Sequence, residues 1–549
     1  MSRYVIGVDV GTTSARAGVF NGAGEMLASS ANPIETWKPR PGFVEQSSDD
    51  IWRAICAAVR SAVGAAGIST AEVAGISFDA TCSLVALDSS CAPLTVDVEG
   101  DPGRNVIVWM DHRALAETDS INARGFDVLK YVGGKLSPEM ETPKLKWLKE
   151  HLPDTWQRAG KFFDLADFLT YRASGIDARS LCTVVCKWTY LGHEGPRGSW
   201  DRAYLRAIDI DDAWERRCVT DDVRPMGERL GPLTEAAAVE LGLTRQCVVG
   251  VGIIDAHAGG LGVLGAIWSG QVGHDPALLE TALALIGGTS NCHMAVSRDP
   301  IFIDGIWGPY FGAMVPGMWL TEGGQSAAGS AIDHVIQDHA NYPNLLQEAR
   351  ARVTTVYELL NAEIDRLAGE AGLPYPALLT RHFHVLPYFL GNRSPNADPH
   401  ATAIVEGLDL DESITSQALR YYATVQAVAY GTRDIVRAMN DSGYRIDTLF
   451  VTGGAAKNPL WLREHADATG LTLVLPREPE AVLLGAAILA AAAAGLYESV
   501  PAAMQAMSGR GSSIAPDPRT ARFHTAKFGI FRSLYAEQLG RRAVMAAID

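Results

Sequence analysis

Basic residues are too few in this chain to balance its acidic ones. Lys and Arg number 47 against 63 Asp and Glu, which gives the 549 residues a formal net charge of −16. A surface of this sign repels nucleic-acid phosphates and anionic lipid headgroups. We therefore expect neither nucleic acid nor a membrane as a partner. Any phosphate site has to be built from backbone N–H groups, helix ends and a metal ion.

Cysteine is also sparse, and its spacing matches no disulfide framework and no zinc motif. The eight Cys are scattered, and no CxxC pair occurs. Reduced, buried thiols are the usual state of such residues. We interpret Cys182 and Cys186, which are one helical turn apart, as packing residues. His257 has no second His at ligand spacing, and we interpret it as a satisfied polar contact.

Long apolar runs and nucleotide-binding fingerprints are missing as well. The run 482–497 is about half Ala and shorter than the about 20 residues of a membrane helix, so it predicts a buried helix. The first apolar run, 4–8, ends at Asp9, and we expect no secretory signal and a cytoplasmic protein. No GxxxxGK[ST] loop occurs, which excludes P-loop enzymes.

One dinucleotide-like pattern is present but in the wrong place. Gly260, Gly262 and Gly265 formally match GxGxxG, yet the dinucleotide fingerprint follows a strand directly, whereas Asp-Ala-His-Ala intervenes here. Small residues on a closely packed helix are the better interpretation.

The chain instead alternates β-rich runs with helical periodicity, an order typical of α/β folds. Near the N-terminus we predict three strands, a helix and two paired strands, at 4–10, 15–20, 25–29, 49–66, 73–78 and 83–87. A similar order recurs late, with strands and helices at 282–286, 292–296, 416–439, 448–451, 471–475 and 480–494. We therefore predict two related α/β domains, at 1–268 and 277–500, and a tail helix in 501–549.

A Gly-Thr turn follows the first predicted strand. Asp9 lies near the end of that strand, and beyond it come Gly11, Thr12, Thr13, Ser14 and Arg16. Glycine lets N–H donors approach a phosphate closely, and hydroxyls add donors. An Asp at a strand end can hold the water shell of Mg²⁺. An ordinary hairpin with a Thr-rich turn would carry the same residues, so both interpretations stay open for the turn alone.

A single acid, Asp255, follows a run of apolar and Gly residues from 247 to 254. In α/β sheets, ligands bind in the crevice at the carboxyl ends of the strands. An Asp at that position can be the general base for a hydroxyl that attacks a phosphate. The alternative is an N-cap for a helix starting at Ala256, and both roles can hold together.

Two more glycine turns follow strand-like runs in the second half. They contain Gly288 and Thr289 in one case, and Gly453, Gly454 and Ala455, with Asn458 close behind, in the other. One can cradle phosphates and the other can let an adenine ring approach the backbone. Each is by itself also a plain tight turn. Three such turns with an acid between them predict a phosphate-binding cleft.

Together these segments resemble the FGGY carbohydrate kinases, within the superfamily of sugar kinases, actin and heat-shock chaperones, over about 4–497. The segments 144–148 and 322–326 also match the family. The resemblance implies two ribonuclease H-like, actin-like ATPase domains with an interdomain cleft. It implies ATP and Mg²⁺ as cofactors, Asp255 as the catalytic base, and Asp9 and Asp255 at the metal. It assigns ATP or phosphate contacts to Gly11, Thr12, Thr13, Ser14, Arg16, Gly288, Thr289, Gly324, Gln325, Gly453, Gly454, Ala455 and Asn458.

Within the family, the segments 78–84 and 109–114 resemble pentulose kinases, in particular D-ribulokinases. The Arg-Glu pair of glycerol kinases is absent from 79–82. L-Ribulokinases resemble the chain around Lys187 and Glu322 but carry small residues where 184–188 stand here. A neutral sugar needs matched buried polar groups, and we expect these to be Thr81, Cys82, Asp111, Arg113, Lys187, Asp255 and Glu322. The structural alternatives are a salt bridge for Arg113 and a surface charge for Lys187.

We therefore expect ATP-dependent phosphorylation of a ketopentose, most simply of D-ribulose to D-ribulose 5-phosphate, by a homodimer. L-Ribulose, xylulose and ribitol stay open as substrates. The alternative class is a non-catalytic actin-like ATPase or a sugar sensor. A chaperone would need a substrate-binding domain after Tyr497, where only a short segment follows.

Overall fold

The structure is a computed structural model that describes residues 3–548, with two large mixed sheets whose faces are covered by helices. Among these residues, no helix has the length and apolar character that a membrane crossing requires. The layered arrangement of sheets and helices is that of an α/β protein.

The first large sheet contains seven strands from the N-terminal half. They are β1 (Tyr4–Val10), β2 (Ser14–Phe20), β3 (Met26–Pro33), β4 (Val73–Ala80), β5 (Arg229–Pro232), β6 (Val248–Gly250) and β7 (Ile253–Ile254). Their spatial order is β5–β6–β4–β1–β2–β3, and β7 pairs with β4 beyond the end of β6. Strands β1, β6 and β7 are parallel to β4, whereas β1, β2 and β3 are antiparallel neighbours.

The second large sheet also contains seven strands. They are β8 (Ala282–Gly287), β9 (Asn291–Ser297), β10 (Trp307–Phe311), β11 (Trp319–Gln325), β12 (Thr448–Thr452), β13 (Thr472–Pro476) and β14 (Arg510–Ile514). Their order is β10–β11–β9–β8–β12–β13–β14. In the first sheet the antiparallel strands β3, β2 and β1 lie beside the parallel strands β4 and β6. In the second sheet the antiparallel strands β11, β9 and β8 lie in the same way beside the parallel strands β12 and β13. This shared order confirms the prediction of two related α/β domains.

The predicted pairing of 73–78 with 83–87 is wrong. Strand β4 already has β1 along one edge and β6 and β7 along the other, so no edge is free for the next segment. Leu84–Asp88 instead joins a separate four-stranded sheet with Glu45–Gln46, Val106–Ile107 and Ala159–Asp164. Two further two-stranded sheets pair Arg179–Ser180 with Val223–Arg224, and His384–Leu386 with Ile404–Glu406.

Eight helices matter for the site. They are α1 (Ser48–Ala66), α2 (Leu181–Lys187), α3 (Asp255–Leu264), α4 (Gly329–Gln337), α5 (Ile414–Asp441), α6 (Pro459–Thr469), α7 (Ala481–Ala493) and α8 (Ala521–Ala546). The other helices are Leu115–Asn122, Glu141–His151, Pro153–Arg158, Leu165–Ser174, Arg202–Ala207, Asp212–Glu215, Glu235–Leu241, Pro276–Leu279, Tyr342–Arg352, Val356–Glu370 and Val500–Met507.

Each half of the chain contributes one helix that packs against the sheet of the other half. Helix α7 belongs to the second half of the chain but packs on β1, β2 and β4 of the first sheet, while α3 packs on β8 and β12 of the second. The two helices also pack against each other and bury one continuous apolar cluster. A Cβ at Gly262 would lie 2.8 Å from the Ala481 carbonyl carbon, so the glycine pattern of α3 serves close helix packing. The predicted domain limits stay a prediction, and α7 shows that packing crosses them.

The segment predicted as a tail helix contributes more than a helix. Helix α8 spans Ala521–Ala546, and before it β14 extends the second sheet by pairing with β13. The segment is therefore part of the second domain.

We expect Gly485→Ala to destabilise the protein by about 1–3 kcal/mol, the usual cost of overpacking. The new Cβ would lie 2.8 Å from the Ala258 Cα, and nearer still to its carbonyl oxygen, forcing α7 away from α3. The matched control is Gly369→Ala, also inside a helix, where no atom lies within 4 Å and the better helix propensity of Ala stabilises slightly. Urea unfolding midpoints check both variants. Equal urea midpoints for Gly485→Ala and Gly369→Ala would contradict the close packing of α7 against α3.

Candidate active site

Three adjacent strands end in acidic residues at one edge of the first sheet. Asp9 in β1 lies in register with Asp79 in β4, and Asp79 pairs in turn with Ile253 in β7. Asp255 follows β7 directly. Because these strands are parallel, their carboxyl ends coincide, and the three carboxylates converge on the cleft.

Asp79 was not predicted as a site residue, since it follows the predicted strand 73–78. It is the buried penultimate residue of β4, and within residues 3–548 neither of its carboxylate oxygens receives a hydrogen bond. Burial, together with the neighbouring Asp9 and Asp255, raises the pKa of Asp79 well above its usual range. A protonated Asp79 can donate to Asp9. The signal that could have found it is a single acid at the end of an otherwise apolar run.

Asp255 does not cap its helix. It is the first residue of α3, and the preceding position is Ile254. In the described part of the chain its carboxylate accepts one hydrogen bond, from the adjacent Ala256 N–H at 2.7 Å. Burial, followed by the charge of Asp9, raises the pKa of Asp255 to about 6. The side chain stays partly accessible at the cleft. A carboxylate with spare acceptor capacity and a pKa near neutrality has the properties of a general base.

Arg16 neutralises the acidic cluster from the side of β2. Its Nε donates to Asp9 at 2.8 Å, and its Nη1 donates to Glu480 at 2.6 Å, at the start of α7. The guanidinium thereby ties the first strand to the helix that comes from the other half. This geometry favours a role in positioning Asp9, although Arg16 was predicted to contact phosphate.

The Gly-Thr turn between β1 and β2 is held by neighbouring polar groups. Gly11 N–H donates to the Ser14 carbonyl at 3.1 Å. The Thr12 hydroxyl accepts a hydrogen bond from the Trp109 indole at 3.0 Å, and Thr13 is exposed at the tip. Trp109 was part of a matched segment but was not predicted as a site residue. The turn is thus rigid at its base and open at its tip.

The second glycine loop rests on the start of α4. The carbonyls of Gly288 and Thr289 accept backbone hydrogen bonds from Gly329 and Ala328, both at 3.0 Å. Gln325 is engaged within the protein, because its amide donates to the Val428 carbonyl and accepts from Asn291, both at 2.9 Å. Its side-chain amide therefore supports the end of β11 and has limited capacity left to hydrogen-bond a nucleotide.

The third glycine loop contacts the second. Gly453 has a φ of 97°, and a Cβ there would press on the Gly287 carbonyl oxygen. Nothing lies within 4 Å of a Cβ at Gly454, and the neighbouring Ala455 is half-buried. Asn458 is used structurally, since its side chain caps α6 by accepting from Leu460 N–H at 3.1 Å and donates to Tyr421 at 2.7 Å.

The predicted sugar residues Thr81, Cys82, Lys187 and Glu322 are buried near the acidic cluster. Lys187 is no surface charge, because it is only 4% exposed, and its ammonium lies 4.5 Å from the centroid of the Trp307 ring. Burial alone would lower its pKa, but Cys82, Glu322 and Glu139 outweigh burial, and the pKa of Lys187 is raised.

A second cation reaches the same tryptophan from the other half of the chain. Arg393 lies 5.0 Å from the Trp307 ring centroid and donates to Glu139 at 3.2 Å. Arg393 also contacts Gly324, where a Cβ would lie 2.6 Å from its Cδ. Arg393, Trp307 and Glu139 were not predicted as site residues, since none lies in a segment that resembles the family.

Asp111 and Arg113 form a closed ion pair. Arg113 is fully buried, bonds Asp111 and Glu45, and donates to the Val96 carbonyl at 2.9 Å. Asp111 also accepts from Val44 N–H at 2.6 Å. With these donors and acceptors satisfied, the geometry favours the salt-bridge interpretation of Arg113 over direct sugar contact.

Comparison with known proteins places the chain in a family. Residues 4–262 match the N-terminal domain and residues 283–494 the C-terminal domain of the FGGY family of carbohydrate kinases. The chain belongs to this family and is a sugar kinase, a phosphotransferase. Kinases of this family use ATP with a divalent metal ion.

Two similar proteins point to one branch. An FGGY carbohydrate kinase domain-containing protein of Homo sapiens is 46% identical over 554 residues, covering 99% of this chain and 98% of that protein. A D-ribulokinase of Saccharomyces cerevisiae is 39% identical over 517 residues, covering 90% of this chain and 72% of that protein. These similarities support the pentulose kinase branch.

Solved structures share the fold. A ligand-bound xylulose kinase from Lactobacillus acidophilus superimposes with a TM-score of 0.78 at 20% identity, covering 97% of both chains. The expected two-domain, actin-like ATPase fold is therefore confirmed.

We expect Gly453→Ala to raise the KM for ATP by about tenfold or more. A residue with a side chain is strained at this φ by about 1–3 kcal/mol, and the methyl would push the two glycine loops apart. The control is Gly470→Ala, which has a φ of 73° and open space around it, and should lose stability without changing the KM. Steady-state kinetics check both variants. An unchanged KM in folded Gly453→Ala would contradict a nucleotide role for this loop.

Proposed function

We propose that this protein phosphorylates D-ribulose at its terminal C5 hydroxyl with ATP and Mg²⁺, giving D-ribulose 5-phosphate. The observation that carries the proposal is Asp255, an acceptor-rich carboxylate at a strand end inside the family's cleft. The similarity to a yeast D-ribulokinase supports the choice of sugar.

The balance of charge around Trp307 supports a neutral substrate. Two cations, Lys187 and Arg393, face two carboxylates, Glu139 and Glu322. A sugar acid or sugar phosphate would need an excess of positive charge, which this pocket does not have. Buried polar groups that match hydroxyls discriminate strongly, because a missing partner leaves them unsatisfied.

In the proposed mechanism, ribulose lies against Lys187 and Glu322 with its terminal hydroxyl toward Asp255. Asp255 accepts the proton of this hydroxyl as the oxygen attacks the γ-phosphate in line. Asp255 is the carboxylate with free acceptor capacity, because Arg16 pairs with Asp9 and the pKa of buried Asp79 is raised by burial and by its acidic neighbours. Thr12, Thr13 and Thr289 donate to the transferring group, and closure of the cleft excludes water.

The acidic cluster fits a hydrated divalent ion. Asp9 and Asp255 would hold Mg²⁺, which keeps several waters and takes one or two carboxylates. When bound with ATP, this ion neutralises charge on the phosphates.

The sugar is tested by ADP release with D-ribulose, L-ribulose, D-xylulose, L-xylulose, ribitol and glycerol as acceptors. We expect the highest kcat/KM with D-ribulose and negligible ATP consumption without sugar. A preference for another acceptor would overturn the sugar assignment, and sugar-independent ATPase activity would favour the actin-like alternative.

We expect Asp255→Asn to lower kcat by about 10²-fold or more, the usual contribution of a general base. Binding of ATP, measured by calorimetry, should persist, and the thermal midpoint should not fall, because one of three crowded carboxylates is removed. The control is Asp201→Asn, which changes a true helix cap that accepts from Tyr204 N–H at 2.9 Å. Near-normal turnover of Asp255→Asn would contradict its role.

The remaining expectations concern the setting of the enzyme. From charge and family resemblance we still predict a cytoplasmic homodimer. Its expected partner is a small sugar, and we expect it to bind neither nucleic acid nor a membrane.

A further inference from the structure

Two cysteines and a histidine meet in the interior beside the proposed sugar site. Cys182 and Cys186 are one turn apart on α2, and His257 reaches them from α3. Their ligand atoms, two Sγ and one ring nitrogen, all lie within 4.8 Å of one another. All three residues are buried. The spacing CxxxC is not a zinc motif in sequence, and the third group lies far away along the chain, so the sequence alone could not reveal the cluster.

His257 was expected to be a satisfied polar contact, and it is not. It is 1% exposed, and among residues 3–548 neither ring nitrogen makes a hydrogen bond of good geometry, the Cys182 thiol being its sulfur neighbour. Its Nε2 lies 3.5 Å from Glu322 Oε2, which is also buried without a partner. A buried polar group left unpaired costs about 1–3 kcal/mol, and such groups in native proteins call for a ligand, ion or water.

We propose that Cys182, Cys186 and His257 bind one zinc ion, with the fourth coordination position on the side of Glu322. Thiolate and imidazole are the ligands that Zn²⁺ prefers, and two Cys with one His make a common set. This site is separate from the Mg²⁺ expected at Asp9 and Asp255, because hard Mg²⁺ selects oxygen ligands.

The distances fit such an ion after small side-chain movements. Zinc bonds of about 2.0–2.3 Å place tetrahedral ligand atoms about 3.3–3.8 Å apart. The ligand atoms of Cys182, Cys186 and His257 lie within 4.8 Å of one another, and Glu322 Oε2 lies 3.5 Å from His257 Nε2. The sulfurs need to approach by no more than about 1 Å, which rotation about χ1 supplies.

The charges at the proposed zinc site also balance. Two thiolates cancel the double charge of the ion, and Glu322 lies beside the ammonium of Lys187. A neutral group of this kind can be buried at modest cost, whereas an isolated ion cannot. Since α3 begins with Asp255, the ion would link α2 to the helix that carries the proposed base.

Metal analysis of the untagged full-length protein, produced with added zinc and dialysed, tests the proposal. We expect about one zinc per chain by mass spectrometry of the metal. Cys182→Ser and Cys186→Ser should each lower zinc content about tenfold or more. The matched control is Cys247→Ser, which removes a buried thiol elsewhere in the first domain and should keep its zinc.

A second measurement covers the case in which the serine variants do not fold. Wild-type protein stripped with a chelator and reloaded with Co²⁺ should show the charge-transfer absorption of thiolate–cobalt bonds, and zinc should raise its thermal midpoint. Zinc-free wild-type protein without the cobalt band would overturn the proposal. Full zinc content in folded Cys182→Ser, or a Cys182–Cys186 disulfide found by mass mapping, would overturn it as well.

Discussion

The repulsion among three converging carboxylates is the constraint on which the rest of the site depends. Parallel pairing of β1, β4 and β7 forces Asp9, Asp79 and Asp255 to the same sheet edge. Burial makes full ionisation of all three costly. Burial and its acidic neighbours raise the pKa of Asp79 well above its usual range, Asp9 pairs with Arg16, and Asp255 is left with free acceptor capacity.

Because α7 packs on the first sheet and α3 on the second, the carboxyl ends of β1, β4 and β7 are held in contact with the second domain. Arg16 reaches Glu480 at the start of α7, and α7 packs against α3, which Asp255 begins. Glycines at the contact allow the two backbones to approach closely. The proposed catalytic carboxylate therefore begins a helix that packs directly on the second sheet, which carries the glycine loops.

Most strands and helices could be predicted because their periodicity is local. The first hairpin and helices α1, α5 and α7 all lie within a few residues of their predicted limits. The partner of Leu84–Asp88 could not be predicted, since it depends on which edges of β4 other segments already occupy. The packing of α7 on the opposite sheet is likewise a long-range outcome of apolar burial.

The residues of the site also fall into those that a local sequence pattern predicts and those whose role depends on the folded structure. Asp255 and the glycine turns were predictable because an acid or a glycine after an apolar run is a local signal. The roles of Arg113 and Asn458 could not be predicted, because only the fold shows that their donors and acceptors are already used. Arg393 and Trp307 of the second domain meet Lys187 and Glu139 of the first only when both domains are assembled.

The central claim is that Asp255 directs phosphate from ATP to the terminal hydroxyl of a ketopentose. Phosphorus NMR of a reaction with ATP, Mg²⁺ and D-ribulose tests it most directly. We expect one new phosphomonoester signal, coupled to the C5 protons, that grows in step with ADP. Release of inorganic phosphate without that signal, or phosphate on another carbon, would contradict it.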